Sequence, residues 1–237
     1  MIERGMIFNG EMVRAILDGR KTQTRRPVRF PVLDKNLGCE LAGNELAGEL
    51  SAGNYLNSAF GKPGHRIWVR ETWATLGNED GCCVDWEDNL CKGDERSAAR
   101  IYRASCEQRP GDYGLWSIPD DADWKPHTKD HKFEGAWRPS IHMPRWASRI
   151  LLEITSVRVE RLNAISEEDA RAEGIIDGGC LNCGEPEPCG CANPEPDATD
   201  AFAYLWQSIY GQESWNANPW VWVIEFKRIE GGDHATN

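Results

Sequence analysis

Apolar residues recur with a helical period in three segments of the chain, and with strand-like alternation or β-branched content in four. The predicted helices cover NGEMVRAILDG (9–19), ISEEDARAEGI (165–175) and TDAFAYLWQSIYG (199–211). The predicted strands cover HRIWVRETWA (65–74), ARIYRA (99–104), SRILLEITSVRVERL (148–162) and PWVWVIEFKRI (219–229). Because this order contains no βαβ alternation, the sequence predicts an α+β fold with mostly antiparallel strands.

Single residues mark where several of these elements begin, end or bend. Asn9 is placed to cap the first helix and Gly19 to end it, while Ser166 caps the second helix and Gly174 ends it. In the third predicted strand the alternation changes phase near Ser156, which predicts a β-bulge at that point.

The composition excludes a membrane-spanning chain. The protein has 237 residues, 40% of them hydrophobic, and no apolar run approaches the ~20 residues of a membrane span. We therefore expect a cytoplasmic protein that does not contact a membrane. The length allows one domain over residues 1–237, with polar insertions at about 30–64, 75–136 and 178–198.

Charge is distributed unevenly along the chain, whose net charge is −11. Residues 1–30 hold seven Lys/Arg against three Asp/Glu, whereas residues 166–200 hold one Arg against ten Asp/Glu. The net charge argues against a general nucleic-acid coat, but a local basic surface can still face a polyanion.

The segment GRKTQTRRPV (19–28) concentrates lysine, threonine and arginine directly after the first predicted helix. One interpretation is a solvated basic turn, since charge runs are usually exposed. The other is a site in which Lys21 activates the hydroxyl of Thr24, with Arg25 and Arg26 lowering the pKa of the lysine. The residue types alone leave both interpretations open.

Four segments in this order, GRKTQTRRPV, HRIWVRETWA, ISEEDARAEGI and WVWVIEFKRI, resemble the ASCH domain family. The matching segments make up about half of the chain, and its length is similar to that of ASCH-bearing proteins of phages and prophages. The resemblance implies a PUA-like β-barrel with flanking helices, to which the long loop insertions are added.

The resemblance also implies an activity, because small bacterial ASCH proteins are amidohydrolases that act on acetylcytidine. The implied catalytic residues are Lys21, Thr24 and Glu173. Thr24 would attack the amide carbonyl, Lys21 would accept its proton and stabilise the oxyanion, and Glu173 would orient the lysine or pass the proton to the leaving amine.

Glu71 is a rival carboxylate, which instead pairs with Arg70 or Arg25 if its role is structural. The segment WRPSIHMPRWASRI (137–150) combines arginines with tryptophans, a combination that suits phosphates and stacked bases. Its histidine is either a second general base or a histidine bonded to backbone, and Asn218 either reads a base edge or builds a turn. The predicted substrate-binding residues are Arg25, Arg26, Glu71, Arg138, Ser140, His142 and Asn218.

Four of the nine cysteines crowd into twelve residues and give the spacing C-x2-C-x5-C-x-C. Two such pairs suit one tetrahedral zinc, and four thiolates leave no open position, so the sequence predicts a structural zinc rather than a catalytic one. The alternative is a loop with reduced thiols. The predicted ligands are Cys180, Cys183, Cys189 and Cys191. Cys82, Cys83 and Cys91 lack a clear fourth ligand, for which Cys39 and Cys106 are the candidates.

The sequence therefore predicts an ASCH-type hydrolase that removes an acyl group from a modified pyrimidine nucleoside. Two alternatives stay open at this point. One is a non-catalytic module that binds RNA or modified nucleic acid, and the other is a phage accessory or assembly protein with a phage protein as its partner.

Overall fold

The computed structural model describes residues 2–77, 82–87, 89–91, 94–106, 137–176 and 198–229. The strands in these residues are β1 (Glu3–Ile7), β2 (Gln23–Pro27), β3 (Val32–Leu33), β4 (Glu40–Leu41), β5 (Arg66–Arg70), β6 (Trp73–Thr75), β7 (Arg100–Tyr102), β8 (Leu151–Arg161) and β9 (Trp220–Arg228). The helices are α1 (Gly10–Leu17), α2 (Gly43–Ser51), α3 (Arg103–Cys106), α4 (Glu167–Ala172), α5 (Ala198–Tyr210) and α6 (Gln212–Asn216).

Five strands form one mixed sheet in the order β1-β5-β8-β9-β2, and β3-β4 and β6-β7 form two small sheets. The strand β9 runs antiparallel to both β8 and β2. The hydrogen bonds Arg66 N–H to Ile2 O and Phe8 N–H to Arg70 O show that β1 and β5 are parallel. The α+β prediction is confirmed, and within the residues that the structure describes the five-stranded sheet is open rather than closed into a barrel.

Most predicted elements appear near their expected bounds, and one departs from the prediction in an informative way. The predicted bulge is present, because the β8–β9 register shifts between Ile154 and Ser156. The predicted strand at 65–74 is divided after Arg70, since its second half leaves the five-stranded sheet and pairs with β7 through Trp73↔Tyr102.

The chain divides into two compact units, which are described separately. Unit 1 comprises Met1–Arg4, Ala15–Arg66 and Leu152–Ile229, and unit 2 comprises Gly5–Arg14, Ile67–Leu151 and Glu230–Asn237.

The core of unit 1 lies between β9 and the helices α4 and α5. Val221 and Val223 alternate onto one face of β9 and pack against Phe202, Trp206 and Ala170. Burial of such aliphatic and aromatic side chains stabilises the fold by roughly 1.5–3 kcal/mol each. This packing holds α4 over the edge of the sheet that β9 and β2 form.

Unit 2 has two apolar clusters around the β6–β7 hairpin. In the first, Ala74 lies opposite Ile101, and both residues pack with Val84 and Cys106. The second consists of Trp73, Tyr102, Met143 and Ala147, with Trp146 packed against it. The two clusters contain residues from opposite faces of the hairpin, as the period of two requires.

The segment GRKTQTRRPV forms an edge strand, so the interpretation of it as a solvated turn is wrong. Gln23, Thr24 and Arg25 are each only 2–3% exposed. The hydrogen bonds Phe226 N–H to Thr22 O and Val28 N–H to Trp220 O show that the even-numbered residues of β2 direct their backbone groups at β9. The odd-numbered residues therefore direct theirs away from β9, on the side where Gln23 and Arg25 contact α4.

Candidate functional site

Lys21 is brought to the edge of unit 1 by the turn that follows α1. Gly19 adopts φ +76°, a conformation that favours glycine, and the Lys21 N–H donates to Ala15 O at 2.9 Å. Lys21 then forms an isolated antiparallel bridge with Glu173 before β2 begins. The predicted end of the first helix is thus what sets the position of the lysine.

Glu173 is placed by the short helix α4. Ser166 caps this helix by accepting the Asp169 N–H at 3.1 Å, as its position in the sequence predicts. Glu173 follows the last helical turn, and Gly174 then adopts φ +87°. A Cβ atom on Gly174 would lie 3.0 Å from Lys21 Cβ, so the close approach of the two segments requires glycine here.

The side chains of Lys21 and Glu173 form a buried ion pair. Lys21 Nζ donates to Glu173 Oε2 at 2.7 Å and to the Glu173 backbone oxygen at 2.8 Å. The exposed fractions of the two side chains are 0% and 3%. Two residues that are 152 positions apart, and that were both predicted as catalytic, are therefore in direct contact.

Arg25 shares the same carboxylate. Its Nη1 lies 3.3 Å from Glu173 Oε1, and its Nη2 lies 2.6 Å from Glu160 Oε1 and 2.9 Å from Asp169 Oδ2. Its side chain is fully buried, and its Nε has no hydrogen-bond partner among the residues that the structure describes. Arg25 thus links the lysine pair to two further acidic groups.

Arg158 and Glu225 complete this charged cluster at its more exposed side. Arg158 contacts Glu160 at 3.1 Å, Asp169 at 2.9 Å and Glu225. The cluster as a whole holds three cations and four carboxylates: Lys21, Arg25, Arg158, Glu160, Asp169, Glu173 and Glu225. Its net charge of about −1 means that the buried cations are matched by carboxylates within the cluster.

The cluster changes the proton affinity of its members. Burial lowers the pKa of Lys21 below the ordinary lysine value, although the carboxylate of Glu173 opposes this shift. Burial raises the pKa of Asp169, but the charges of Arg25 and Arg158 outweigh it and hold that pKa below its usual value. The lowered pKa increases the fraction of Lys21 that is present as the neutral amine, which is the form that can accept a proton.

Thr24 lies in β2, but on the other face of the strand from Gln23 and Arg25. Its register partner is Ile224, and successive side chains of a strand point to opposite faces. Gln23 and Arg25 both contact α4, through the backbone oxygen and the side chain of Asp169. No hydrogen bond joins Thr24 to Lys21 or Glu173 in the part of the chain that the structure describes.

Arg26 has the same parity as Thr24 and pairs with Trp222 of β9. Arg26 is half-buried. Because side chains alternate along a strand, it lies on the face of β2 opposite to Gln23 and Arg25. The charges of Arg26 and Arg25 both lower the pKa of Lys21, as was predicted for these two arginines, and Arg25 also forms an ion pair with the carboxylate that Lys21 contacts.

The rival carboxylate Glu71 lies in unit 2 and pairs with Arg149, not with Arg70 or Arg25. Both guanidinium contacts measure 3.0 Å, and Arg149 Nη2 also donates to Ser105 Oγ at 2.9 Å. Arg149 further lies 4.1 Å from the ring centroid of Tyr102. Glu71 is thus part of a buried bidentate pair with a structural geometry.

Three of the predicted substrate-binding residues lie together in unit 2. Arg138 pairs with Glu95 and lies 4.9 Å from the ring centroid of Trp73. Ser140 accepts Arg70 Nε–H through its backbone oxygen at 3.1 Å, and His142 is exposed. They form part of the surface around the β6–β7 hairpin of unit 2.

Asn218 builds the turn before β9, which is the structural alternative for this residue. It adopts φ +44°, and its Oδ1 accepts the Asn163 N–H at 2.9 Å. Asparagine tolerates this left-handed conformation better than most residues. Its side-chain oxygen is used by the turn.

The predicted zinc ligands Cys180, Cys183, Cys189 and Cys191 lie outside the described residues. Within the described ranges, no group of three or more His, Cys, Asp or Glu side chains is arranged to hold a metal ion. That finding includes Cys82, Cys83 and Cys91, none of which forms a disulfide within these ranges.

Sequence reasoning missed Glu160 and Arg158 and assigned Asp169 only to helix capping. A signal for the first two was present, because they alternate with Val157 and Val159 along the third predicted strand. Once β2 is known to lie in the same sheet as β8, Arg158 and Glu160 are expected to pair with charged residues of β2 such as Arg25. The sequence alone does not show that the two strands share a sheet.

No family model, curated protein or solved structure matches the chain. The described part of the chain contains no helix that is long and apolar enough to cross a membrane.

Proposed function

We propose that the protein is an ASCH-type hydrolase that removes an acyl group from the exocyclic amine of a cytidine-like nucleoside. The proposal rests on the resemblance in four segments and includes the PUA-like architecture that the resemblance implies. One observation carries it further: Lys21 Nζ lies 2.7 Å from Glu173 Oε2 in a buried environment that lowers the pKa of the lysine.

The contact between Lys21 and Glu173 supports the proposal, because the resemblance in GRKTQTRRPV and ISEEDARAEGI assigns both residues to one catalytic group. A misaligned helix would have placed another residue, such as Glu168, in the position opposite Lys21. A lysine with a lowered pKa is deprotonated in a larger fraction of molecules at neutral pH, and only the neutral amine can accept a proton.

In the proposed reaction the neutral Lys21 amine removes a proton from a water molecule, whose oxygen bonds to the acyl carbon. The C–N bond to the exocyclic amine then breaks, and the protonated lysine returns the proton to that amine. The products are a carboxylic acid and cytidine. Glu173 orients Nζ throughout, and its charge stabilises the ammonium form between the two proton transfers.

Water is the proposed nucleophile because the register places the Thr24 side chain on the opposite face of β2. The lysine side chain is fully enclosed. A substrate therefore reaches Nζ only when a covering side chain moves, and we expect a slow enzyme whose rate depends on that motion.

The test is to incubate the purified protein with N4-acetylcytidine and to follow released cytidine by chromatography. Glu173→Gln should reduce turnover by at least about tenfold, which corresponds to the loss of one interaction with a charged group. Lys227→Met is the matched control, since Lys227 also pairs with a glutamate (Glu153, 2.9 Å) but is 64% exposed. It should keep wild-type turnover.

Two further variants separate the alternatives. Lys21→Met combined with Glu173→Leu replaces the pair by apolar groups, which is often neutral for stability, and the folded double variant should be inactive. Thr24→Val should keep activity. Loss of activity in this variant would indicate that the nucleophile is the Thr24 hydroxyl rather than water. Absence of turnover by the wild-type protein on a panel of acylated nucleosides would reject the proposed activity.

We also propose that the four clustered cysteines, Cys180, Cys183, Cys189 and Cys191, hold one structural zinc ion through four thiolates. Metal analysis of the purified protein should give about one zinc per chain, because a loop rich in glycine and proline gains its order from the metal. Cys183→Ser should lower that content. A folded protein with well under half an equivalent would contradict the zinc proposal.

A further inference from the structure

Two cysteines of unit 2 lie directly opposite each other on neighbouring antiparallel segments. Val84 and Leu90 form an antiparallel bridge. One residue further along each segment, the Cys91 N–H donates to Cys83 O at 2.9 Å. Cys83 and Cys91 are therefore cross-strand neighbours. The proposed hydrolase activity makes no use of either thiol.

The spacing of such a pair matches the span of a disulfide. Residues that face each other at a hydrogen-bonding position have Cα atoms about 5.5 Å apart and side chains on the same face of the sheet. A disulfide joins residues whose Cα atoms are about 4.4–6.8 Å apart. A bond between Cys83 and Cys91 therefore requires no change of register.

The two thiols are also close enough to influence each other. Burial raises the pKa of the Cys91 thiol, and the charges of Asp85, Cys83 and Asp94 raise it further. The contribution of Cys83 to this shift agrees with the register, which places the two side chains side by side.

The two segments that carry the cysteines differ in how they are anchored. Val84, which follows Cys83, is 2% exposed and packs in the first apolar cluster of unit 2. Leu90, which precedes Cys91, is 52% exposed. A bond between the two cysteines would thus tie an outer segment to one that is fixed in the core.

Little hydrogen bonding is lost when these thiols are oxidised. Cys83 Sγ–H donates to Thr75 Oγ1 at 3.9 Å, and Cys91 Sγ–H donates to Asn89 O at 3.8 Å. Thiols are weak donors, so both contacts contribute little. Both cysteines are half-buried rather than fully enclosed, which leaves part of each residue open to a small reagent.

We infer that Cys83 and Cys91 form a reversible disulfide by exchange with low-molecular-weight disulfides such as oxidised glutathione. The thiolate of one cysteine attacks a sulfur of the small disulfide, whose S–S bond breaks and releases one thiolate. The thiolate of the other cysteine then attacks the protein sulfur of this mixed disulfide and releases the second small thiolate. The cysteine pair loses two electrons and two protons, and the small disulfide takes up both and becomes two thiols.

Cys82 provides a control within the same segment. It is adjacent to Cys83 and exposed, but successive side chains of an extended segment point to opposite faces. The register therefore pairs Cys91 with Cys83 and not with Cys82. All three cysteines lie in one tryptic peptide, residues 71–92, which contains none of the four cysteines of the zinc proposal.

The test identifies the oxidised cysteines by differential labelling. Reduced, folded protein is incubated with about 1 mM oxidised glutathione, a concentration below the effective concentration of a neighbouring thiol in the same molecule. Free thiols are blocked with iodoacetamide, disulfides are reduced, and the released thiols are labelled with N-ethylmaleimide before mass spectrometry of the peptide. The maleimide label should lie on Cys83 and Cys91, and the iodoacetamide label on Cys82.

The same peptide, analysed before reduction, distinguishes an internal disulfide from a glutathione adduct. The internal disulfide should exceed the adduct at least about tenfold, because the second thiol competes with glutathione from a higher effective concentration. Cys82→Ser should keep the internal disulfide. Cys83→Ser should abolish it and leave Cys91 either blocked by iodoacetamide or joined to glutathione.

Unfolding the protein shows whether the fold selects the pair. Cys83 and Cys82 close loops of nine and ten residues with Cys91, and loops of such similar length cost about the same entropy to close. In concentrated urea the two bonds should therefore form in about equal amounts.

Three outcomes would overturn the inference. They are equal bonding of Cys82 and Cys83 to Cys91 in the folded protein, a glutathione adduct that persists on the pair, and iodoacetamide on both Cys83 and Cys91. None of these measurements involves Lys21 or turnover, so the result is independent of the proposed hydrolase activity.

Discussion

Both units contain a buried pair of a carboxylate and a cation, but the two pairs differ in what they can do. In unit 1 the carboxylate of Glu173 is shared by a lysine and an arginine within a cluster of seven charges. In unit 2 the carboxylate of Glu71 takes both of its ion-pair contacts from one arginine.

The two pairs are both buried, but the cation in each pair decides which chemistry the pair can support. Arginine keeps its proton under all ordinary conditions, so the Glu71–Arg149 pair can only hold backbone segments together. Lysine releases its proton when burial lowers its pKa, so the Lys21–Glu173 pair can take part in proton transfer. The pair in unit 2 thus serves as an internal reference for a structural role.

The largest expected effect separates the pairs by stability. Arg149→Met leaves Glu71 buried without its cation and should lower the free energy of unfolding by about 3–5 kcal/mol. Lys21→Met should cost less, about 2 kcal/mol, because Arg25 still neutralises Glu173. Urea denaturation of both variants measures the difference, and a larger loss for Lys21→Met would show that Arg25 does not share the carboxylate.

The next effect concerns the close contact that the unit 1 pair requires. Gly174→Ala puts a Cβ atom 2.9 Å from Ala15 Cβ at φ +87°, so we expect a loss of about 2–3 kcal/mol. Gly19→Ala has a similar φ of +76° but open space around it, and should cost only about 1 kcal/mol. Thermal or urea unfolding measures both losses of stability. Equal losses for Gly174→Ala and Gly19→Ala would mean that the close approach to Ala15 and Lys21 adds nothing to the cost of the Gly174 substitution.

A rise in pH should change the contributions of Cys106 in unit 2 and Lys21 in unit 1 to the free energy of unfolding in opposite directions. Burial raises the pKa of the Cys106 thiol in unit 2 to about 12 from 9.0, so the unfolded state releases its proton first and stability falls as pH rises through this window. The lowered pKa of Lys21 has the opposite sign, because below 10.5 the unfolded lysine binds more protons and stability rises with pH.

Cys106→Ala should therefore remove an alkaline loss on the order of 2 kcal/mol at pH 11, relative to pH 8. The measurement is the urea midpoint of wild type and variant at both pH values, under reducing conditions. An unchanged pH dependence in Cys106→Ala would show that the thiol is not protected in the folded protein.

The smallest effect tests whether helix capping positions Glu173. Ser166→Ala removes the side-chain cap of α4 and should cost about 1 kcal/mol. Ser140→Ala in unit 2 should change stability by less than about 0.5 kcal/mol, because its 3-10 turn has no side-chain cap. Turnover should fall for Ser166→Ala alone if α4 orients the glutamate.

Sequence reasoning predicted the elements with strong periodicity and the contact between their ends. The bulge near Ser156, the cap at Ser166 and the contact of Lys21 with Glu173 all follow from short-range signals or from the aligned segments. The bulge and the cap depend on local patterns that tertiary packing does not override, whereas the contact between Lys21 and Glu173 joins residues 152 positions apart and was expected only from the resemblance.

The misplaced residue is Thr24, and the reason is the secondary structure assigned to its segment. In a turn, a spacing of three residues can bring Lys21 and Thr24 together. In an extended strand an odd spacing places side chains on opposite faces, and the segment proved to be extended. Polar content had hidden the strand, since Gln, Thr and Arg do not form an alternating apolar pattern.

The pairing of Glu71 with Arg149 could not be predicted from the sequence for another reason. The two residues are 78 positions apart in the sequence. No local sequence pattern indicates which of the many arginines pairs with a given acidic residue. The partner of Glu71 is determined only by the packing around the β6–β7 pair.

The position of β2 at the edge of the sheet also bears on self-association. An open edge offers N–H and C=O groups to which a strand of a second copy can add. At the edge of β2, Gln23 and Arg25 are buried beside α4, and Pro27 at the end of the strand has no N–H to donate. The proline that closes this strand thus removes one donor from the ladder that a growing aggregate would need.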